Sequence, residues 1–303
     1  MTALSPKRLL FVSGKGGVGK SSVAAALALL YSQEKKQTLL VEVNSLGRLS
    51  SLLACPSSHI EPKLVEPYLW MLNLQFQSAL REYALMVLKY EPLYRTVFEN
   101  RWTQQLLHFI PSLQELVLLG KLLFHAQEKT PEGKYRFDKI IVDAPATGHI
   151  TRLLSLPSVL LRTVPPGPLA QEAQWMETAL QAPSTATLLV SLPTEMAVQE
   201  TLELHVALQT QAHMHIPALL LNRFVPPLFE KDELQHPTLL KYPHLLPLAL
   251  QHYTLAKESL DAFSHLSQLH IPVFKLPCLP SEYPARNTVS SLAAHLQKMK
   301  ELL

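Results

Sequence analysis

Four of the nine glycines in this 303-residue chain, Gly14, Gly16, Gly17 and Gly19, fall within six residues. Such a concentration marks a place where the backbone must adopt conformations that side chains exclude. It lies between an apolar run of strand length, Arg8 to Ser13, and an alanine- and leucine-rich stretch, Val23 to Tyr31, so the order is strand, loop, helix. The loop reads Gly14-Lys15-Gly16-Gly17-Val18-Gly19-Lys20-Ser21-Ser22. This is G-x-x-x-x-G-K-[ST] spacing, in which successive amides wrap phosphates at the positive end of a helix. In that arrangement Lys20 neutralises the β and γ phosphates of a nucleotide, and Ser21 offers its hydroxyl to Mg²⁺. The flanking strand and helix set the loop apart from a chance glycine-rich turn.

Downstream, short β-branched or leucine-rich runs alternate with helical stretches, which predicts an α/β fold, a doubly wound and mostly parallel sheet covered on both faces. The predicted strands are Thr38 to Val43, Lys139 to Asp143, Thr185 to Ser191, Ala218 to Asn222 and Val273 to Leu276, with Leu69 to Leu74 as an edge strand. Helices are expected from Thr194 to about Gln211, in broken form from Glu230 to Leu269, and from Asn287 to Leu303. From Phe76 to about Gln127 the pattern is helical throughout, with Phe76, Leu80, Tyr83, Ala84, Val87 and Leu88 on one face. The chain therefore divides into a nucleotide-binding domain, 1–75 and 129–303, and an inserted helical subdomain, 76–128. The last helix of the insert opens with a capping-box pattern, Ser112-Leu113-Gln114-Glu115 after Pro111, and carries Leu116, Val117, Leu118, Leu119, Leu122, Leu123 and Phe124 nearly all round. Such a helix is either buried on all sides or bears an apolar surface for a partner.

A second chemical element is Phe137-Asp138-Lys139-Ile140-Ile141-Val142-Asp143, followed by Ala144-Pro145-Ala146-Thr147-Gly148-His149. A carboxylate at the C-terminal end of a buried strand is where a doubly wound fold keeps its ligand chemistry. Asp143 is placed to hold Mg²⁺ through water, and Thr147-Gly148 to bring a backbone N–H near the γ phosphate.

Composition narrows the partners. A 48% apolar, 17% charged chain is long enough to bury a substantial core, which excludes intrinsic disorder. A net charge of +3 from 27 basic and 24 acidic residues spread along the chain lacks the basic stripe that nucleic acid requires. Two cysteines, Cys55 and Cys278, make neither a disulfide framework nor a cysteine-rich metal site and fit a reducing, cytoplasmic setting. The chain shows no export signal and no membrane span. His213-Met214-His215 lacks acidic or thiol company, so no metal beyond nucleotide-bound Mg²⁺ is assigned. The apolar face Val289, Leu292, Ala293, Leu296, Met299, Leu302 and Leu303 of the final helix fits packing on the sheet better than a peripheral membrane anchor.

The loop KGGVGKSS with its extra Lys15, the segment DAPATGHITRLL from Asp143 to Leu154, LPTEMAVQETLEL from Leu192 to Leu204 and ALLLNR ending at Asn222 and Arg223 together resemble the ArsA-like family. This family holds arsenite-pump and tail-anchored-protein-targeting ATPases, within the deviant Walker A class of MinD and ParA. The resemblance implies ATP and Mg²⁺ as cofactors and a dimer sandwiching two ATP molecules, formed with an identical or a related chain. It also implies Lys15 reaching the partner's phosphates, Thr147 to His149 in the second switch, Asn222 on the adenine with Pro280 also at the nucleotide, and an apolar protein segment as client. Two departures stand out. Asn44 occupies the place of the first-switch aspartate that orients the attacking water, and an amide cannot accept that water's proton. Glu42, two residues earlier on the same strand face, is the alternative carboxylate. The missing cysteine pairs remove a zinc clasp and a thiolate metalloid site. The implied function is a dimeric, nucleotide-gated ATPase, slow because of Asn44; the alternatives are a non-hydrolysing ATP-dependent binding subunit and a positioning ATPase like MinD or ParA.

Overall fold

In a computed structural model the described residues are 4–44, 47–55, 60–88, 112–235, 241–242, 244–280 and 284–299, with the side chains of 83–88 left aside. The apolar runs pair into one eight-stranded sheet: β1 (Leu9–Ser13), β2 (Thr38–Val43), β3 (Lys63–Glu66), β4 (Leu69–Leu74), β5 (Lys139–Asp143), β6 (Thr185–Ser191), β7 (Leu219–Phe224) and β8 (Val273–Pro277). Their order across the sheet is β3-β4-β2-β5-β1-β6-β7-β8. Every pairing is parallel except β3 with β4.

Because successive strand residues face opposite sides, β1, β2 and β5 feed two separate cores. Leu9, Phe11, Leu39, Val41, Ile140 and Val142 face one layer, while Leu10, Val12, Leu40 and Ile141 face the other. The second layer is closed by α1 (Lys20–Gln33), α2 (Arg48–Leu53) and α9 (Ala285–Lys298), which pack on one another. The first is covered by α4 (Leu113–Gln127), α5 (Thr147–Thr163), α6 (Pro168–Gln181), α7 (Glu195–Thr210) and α8 (Leu246–Ser267). The fold is thus the predicted doubly wound sheet.

Several local expectations are corrected. Leu69 to Leu74 is not the edge: β4 lies between β2 and β3, and the short, mostly exposed β3 takes the edge. The broken helix expected from Glu230 to Leu269 is found in the described residues of that span as a 3₁₀ turn, Asp232–Gln235, and α8, with 236–240 and 243 outside them. Ser112 forms no capping box; it sits at φ 63° with no side-chain cap, and the helix begins through its carbonyl, which accepts from the Leu116 amide. Pro111 lies outside the described residues.

Of the insert, α3 (Phe76–Leu88) and α4 are described, joined by an ion pair between Glu82 and Lys121. The two readings of α4 separate here, since Leu118, Leu119, Leu122 and Leu123 are all buried in the same core as Phe11 and Val142, while Phe124 is 56% exposed. The face predicted for Tyr83, Ala84, Val87 and Leu88 falls on side chains outside the described set. On α9, Val289, Leu292, Ala293 and Leu296 are buried against α1 and α2, so this face is occupied by the fold; Leu302 and Leu303 lie outside the described residues.

Candidate phosphate site

The glycine loop runs from the end of β1 into α1 at the C-terminal edge of the sheet, between the ends of β5 and β6. Two of its glycines are dictated by close approach. Gly14 has φ 155°, and a Cβ there would stand 2.1 Å from the Val190 carbonyl oxygen of β6. Gly19, at φ 96°, would place a Cβ 2.4 Å from Asn222 Nδ2. That Asn222 side chain, buried at the end of β7, donates to the Val18 carbonyl at 2.9 Å and accepts from the Arg223 amide at 3.0 Å. It thereby braces the loop from behind. Gly16 and Gly17 are exposed, Val18 is buried, and Ser22 is half-buried on the first turn of α1.

Lys20 Nζ donates to the Lys15 carbonyl at 2.9 Å, folding the ammonium back over the loop. Burial lowers its pKa, with Arg48 acting in the same direction and Asp143 opposing. Ser21 is buried beside Asp143. Val12 of β1 and Glu42 of β2 are the register partners of Asp143, so all three side chains share the sheet face that carries α1 and α2. Burial pushes the Asp143 carboxyl up from 3.8 to about 6, with the Ser21 hydroxyl, Lys20 and Arg48 pulling down and Glu42 pushing further up. Its Oδ1 is buried without a hydrogen-bond partner. A buried carboxylate oxygen left unsatisfied next to a serine hydroxyl and an ammonium matches what Mg²⁺ and its water shell would complete, and the glycine cradle matches a phosphate chain.

Glu42 is 1% exposed, and its Oε1 accepts from the Leu49 amide at 3.2 Å. Asn44 follows β2 in the left-handed region at φ 48°, its side chain exposed and its amide donating to the Leu74 carbonyl at 2.9 Å. Thr147 opens α5 directly after Asp143-Ala144-Pro145-Ala146, half-buried, with Gly148 and His149 exposed beside it. Pro280 is exposed beyond β8. Lys15 points away from the loop to Glu200 of α7, Nζ to Oε1 2.8 Å. Of the expected residues, the loop, Asp143 and Asn222 are drawn together; the contacts of Asn44, Gly148 and Pro280 do not tie them to that cluster. Glu200 and Arg48 escaped the sequence reading. Arg48, a basic residue four positions after Asn44, was legible as a second cation behind the strand end.

Among the described residues no group of three histidine, cysteine or acidic side chains is arranged to hold a metal ion, and no helix is long and apolar enough to cross a membrane.

A parallel α/β sheet with a glycine loop cradled in this way, and a strand-end aspartate beside the loop's serine, defines a phosphate-loop nucleotide-binding protein. Within that class, residues 7–165 match the family described as anion-transporting ATPase, ArsA type. The chain is 30% identical to the ATPase BagA of Mycobacterium tuberculosis over 238 residues, 76% of this chain and 69% of that one. It is 28% identical over 163 residues to a putative arsenical pump-driving ATPase of Halobacterium salinarum, covering 50% of this chain and 24% of that one. Against an ATPase ASNA1 homolog of Cryptosporidium parvum the identity is 25% over 158 residues, 52% and 40% of the two lengths. The chain belongs to the ArsA ATPase family.

Proposed function

We propose that the chain binds MgATP at the glycine loop and hydrolyses it slowly, cycling between an open form and a closed dimer that controls an apolar protein partner. The observation that carries the nucleotide site is the unsatisfied, buried Asp143 oxygen next to Ser21 and Lys20 at the mouth of the cradle. In this reading the amides from Gly14 to Ser22 and the Lys20 ammonium bind the phosphates, and Ser21 and Asp143 hold the metal, Asp143 through water. Asn222 and Pro280 lie on the adenine side, and Thr147 and Gly148 report the γ phosphate to α5. Bound Mg²⁺ supplies charge neutralisation on the phosphates. The residues themselves orient and exclude water. For Lys15 to serve a second protomer it must leave Glu200, so the resting contact is one that closure exchanges.

Partner contact falls to the insert, 76–128. Its inward leucines are committed to the core, which leaves the outward side of α4, with Phe124, for an apolar segment. A second reading, an ATP-dependent binding subunit that does not turn over, draws on Asn44 alone. Calorimetry tests the site: MgATP binds the wild type, and Lys20→Ala abolishes tight binding, whereas equal binding by both proteins removes the assignment.

A further inference from the structure

Two short helical starts converge on Asp143. One is the first turn of α1, with Lys20 and Ser21; the other is the first turn of α2, where Arg48 is the opening residue and Leu49 the next. The α2 turn is fixed to the sheet by a specific tether, the buried Glu42 carboxylate accepting the Leu49 amide, and Glu42 is the direct register partner of Asp143. A residue held one position before that tether has little freedom in where its side chain begins. Arg48 is itself exposed, as are Gly16 and Gly17 of the loop. We propose that Arg48 is a catalytic guanidinium supplied in cis to the terminal phosphate of ATP, and that Glu42 is its positioning residue.

Charge and chemistry agree with this. Arg48 brings a second positive charge beside the strand end, since Glu42, whose carboxylate holds the amide of the next residue, pairs in register with Asp143. Two cations set beside one carboxylate favour an anion, and the charge that complements them best is a phosphoryl group gaining negative charge. Phosphoryl transfer depends mostly on positioning and charge stabilisation, so an arginine there acts without any proton transfer. That suits a chain in which the residue after β2, Asn44, offers no carboxylate to the attacking water. Glu42 does its work through one oxygen, and its second oxygen, Oε2, is buried and unpartnered. The side chain is therefore not shaped for packing alone.

The inference rests on the nucleotide reading above, and the test separates the two. ADP affinity, affinity for ADP with aluminium fluoride, and single-turnover ATP hydrolysis are measured on the full chain with Mg²⁺ for wild type, Arg48→Ala, Arg48→Lys, Glu42→Ala and Glu42→Gln. Expected are ADP affinities within about threefold of wild type throughout. Arg48→Ala should lose at least tenfold in turnover together with the preference for ADP–aluminium fluoride over ADP, since a planar fluoride imitates the charge of the transition state. Arg48→Lys recovers part of both. Glu42→Ala falls in turnover as Arg48→Ala does, and Glu42→Gln, which keeps an acceptor for the Leu49 amide, restores it. An Arg48→Ala protein with wild-type turnover and wild-type fluoride preference overturns the proposal, and so does one whose ADP affinity falls as far as its turnover. A wild type that binds no nucleotide overturns the site itself, and Arg48 with it.

Discussion

Asp143 is held where its charge is costly. Its pKa of about 6 lies above the ordinary 3.8, so between those values the folded, ligand-free protein binds more protons than the unfolded chain. The carboxyl is therefore tolerated best below pH 4, and stability drains away as pH rises toward 6. Asp143→Asn should flatten that slope and stabilise the ligand-free protein at pH 7 by roughly 1–2 kcal/mol, after discounting for water at the strand end, while Mg²⁺-dependent nucleotide affinity falls. Thermal melts at pH 4 and pH 7 with and without MgATP check both arms; an Asn variant that melts lower at pH 7 without ligand contradicts the account. Asn44 makes the complementary case. General-base assistance is worth ~10² to 10⁴ in rate, so if Asn44 stands at the water-orienting position its amide forfeits part of that range, and Asn44→Asp should raise the steady-state ATPase rate at least tenfold, ~1.4 kcal/mol of barrier. No gain places the water elsewhere, with Glu42 as the carboxylate to examine next.

Among the elements, α4 is the decisive one, because its helical pattern alone left burial and exposure open. Leu119 is fully buried in the core that β1, β2 and β5 share, so Leu119→Asp puts an unpaired charge into an apolar layer and should abolish the cooperative thermal transition, while Leu119→Ala costs about 3 kcal/mol. A folded Leu119→Asp protein with intact nucleotide binding returns α4 to the surface reading. The strands and the phosphate loop were legible because their signals are local: glycine spacing, a strand-length apolar run, a carboxylate at its end. What was not legible depends on contacts from elsewhere. β3 is absent from the predicted strands because an edge strand buries little, and it is a strand through antiparallel pairing with β4. Ser112 has the right letters for a cap, yet the chain enters α4 through a left-handed residue. The brace from Asn222 to Val18 spans 204 positions, and the pairing of Lys15 with Glu200 joins the loop to α7; no spacing rule reaches either.

At the scale of the molecule, the pairing of Lys15 with Glu200 is the contact that the proposed closure would have to exchange. The two side chains are 24% and 35% exposed and 2.8 Å apart, so one such pair is worth no more than about 1 kcal/mol against water and salt. If closure moves each Lys15 onto the opposite protomer's phosphates, two pairs are exchanged per dimer, and each lysine then meets a more highly charged group in a less solvated place. Lys15→Ala should then leave nucleotide affinity of the single chain within a few-fold of wild type, since Lys20 and the loop amides act in cis, yet lose ATP-driven association. Glu200→Gln, which keeps the shape of the side chain and frees the lysine, should strengthen association several-fold with ATP and leave it unchanged with ADP, with the gain shrinking as salt rises. Sedimentation velocity with ATP, ADP and no nucleotide at two ionic strengths reads all of this. Association that is the same in wild type, Lys15→Ala and Glu200→Gln would mean that Lys15 stays in its own protomer and that the pair with Glu200 only fastens the loop to α7.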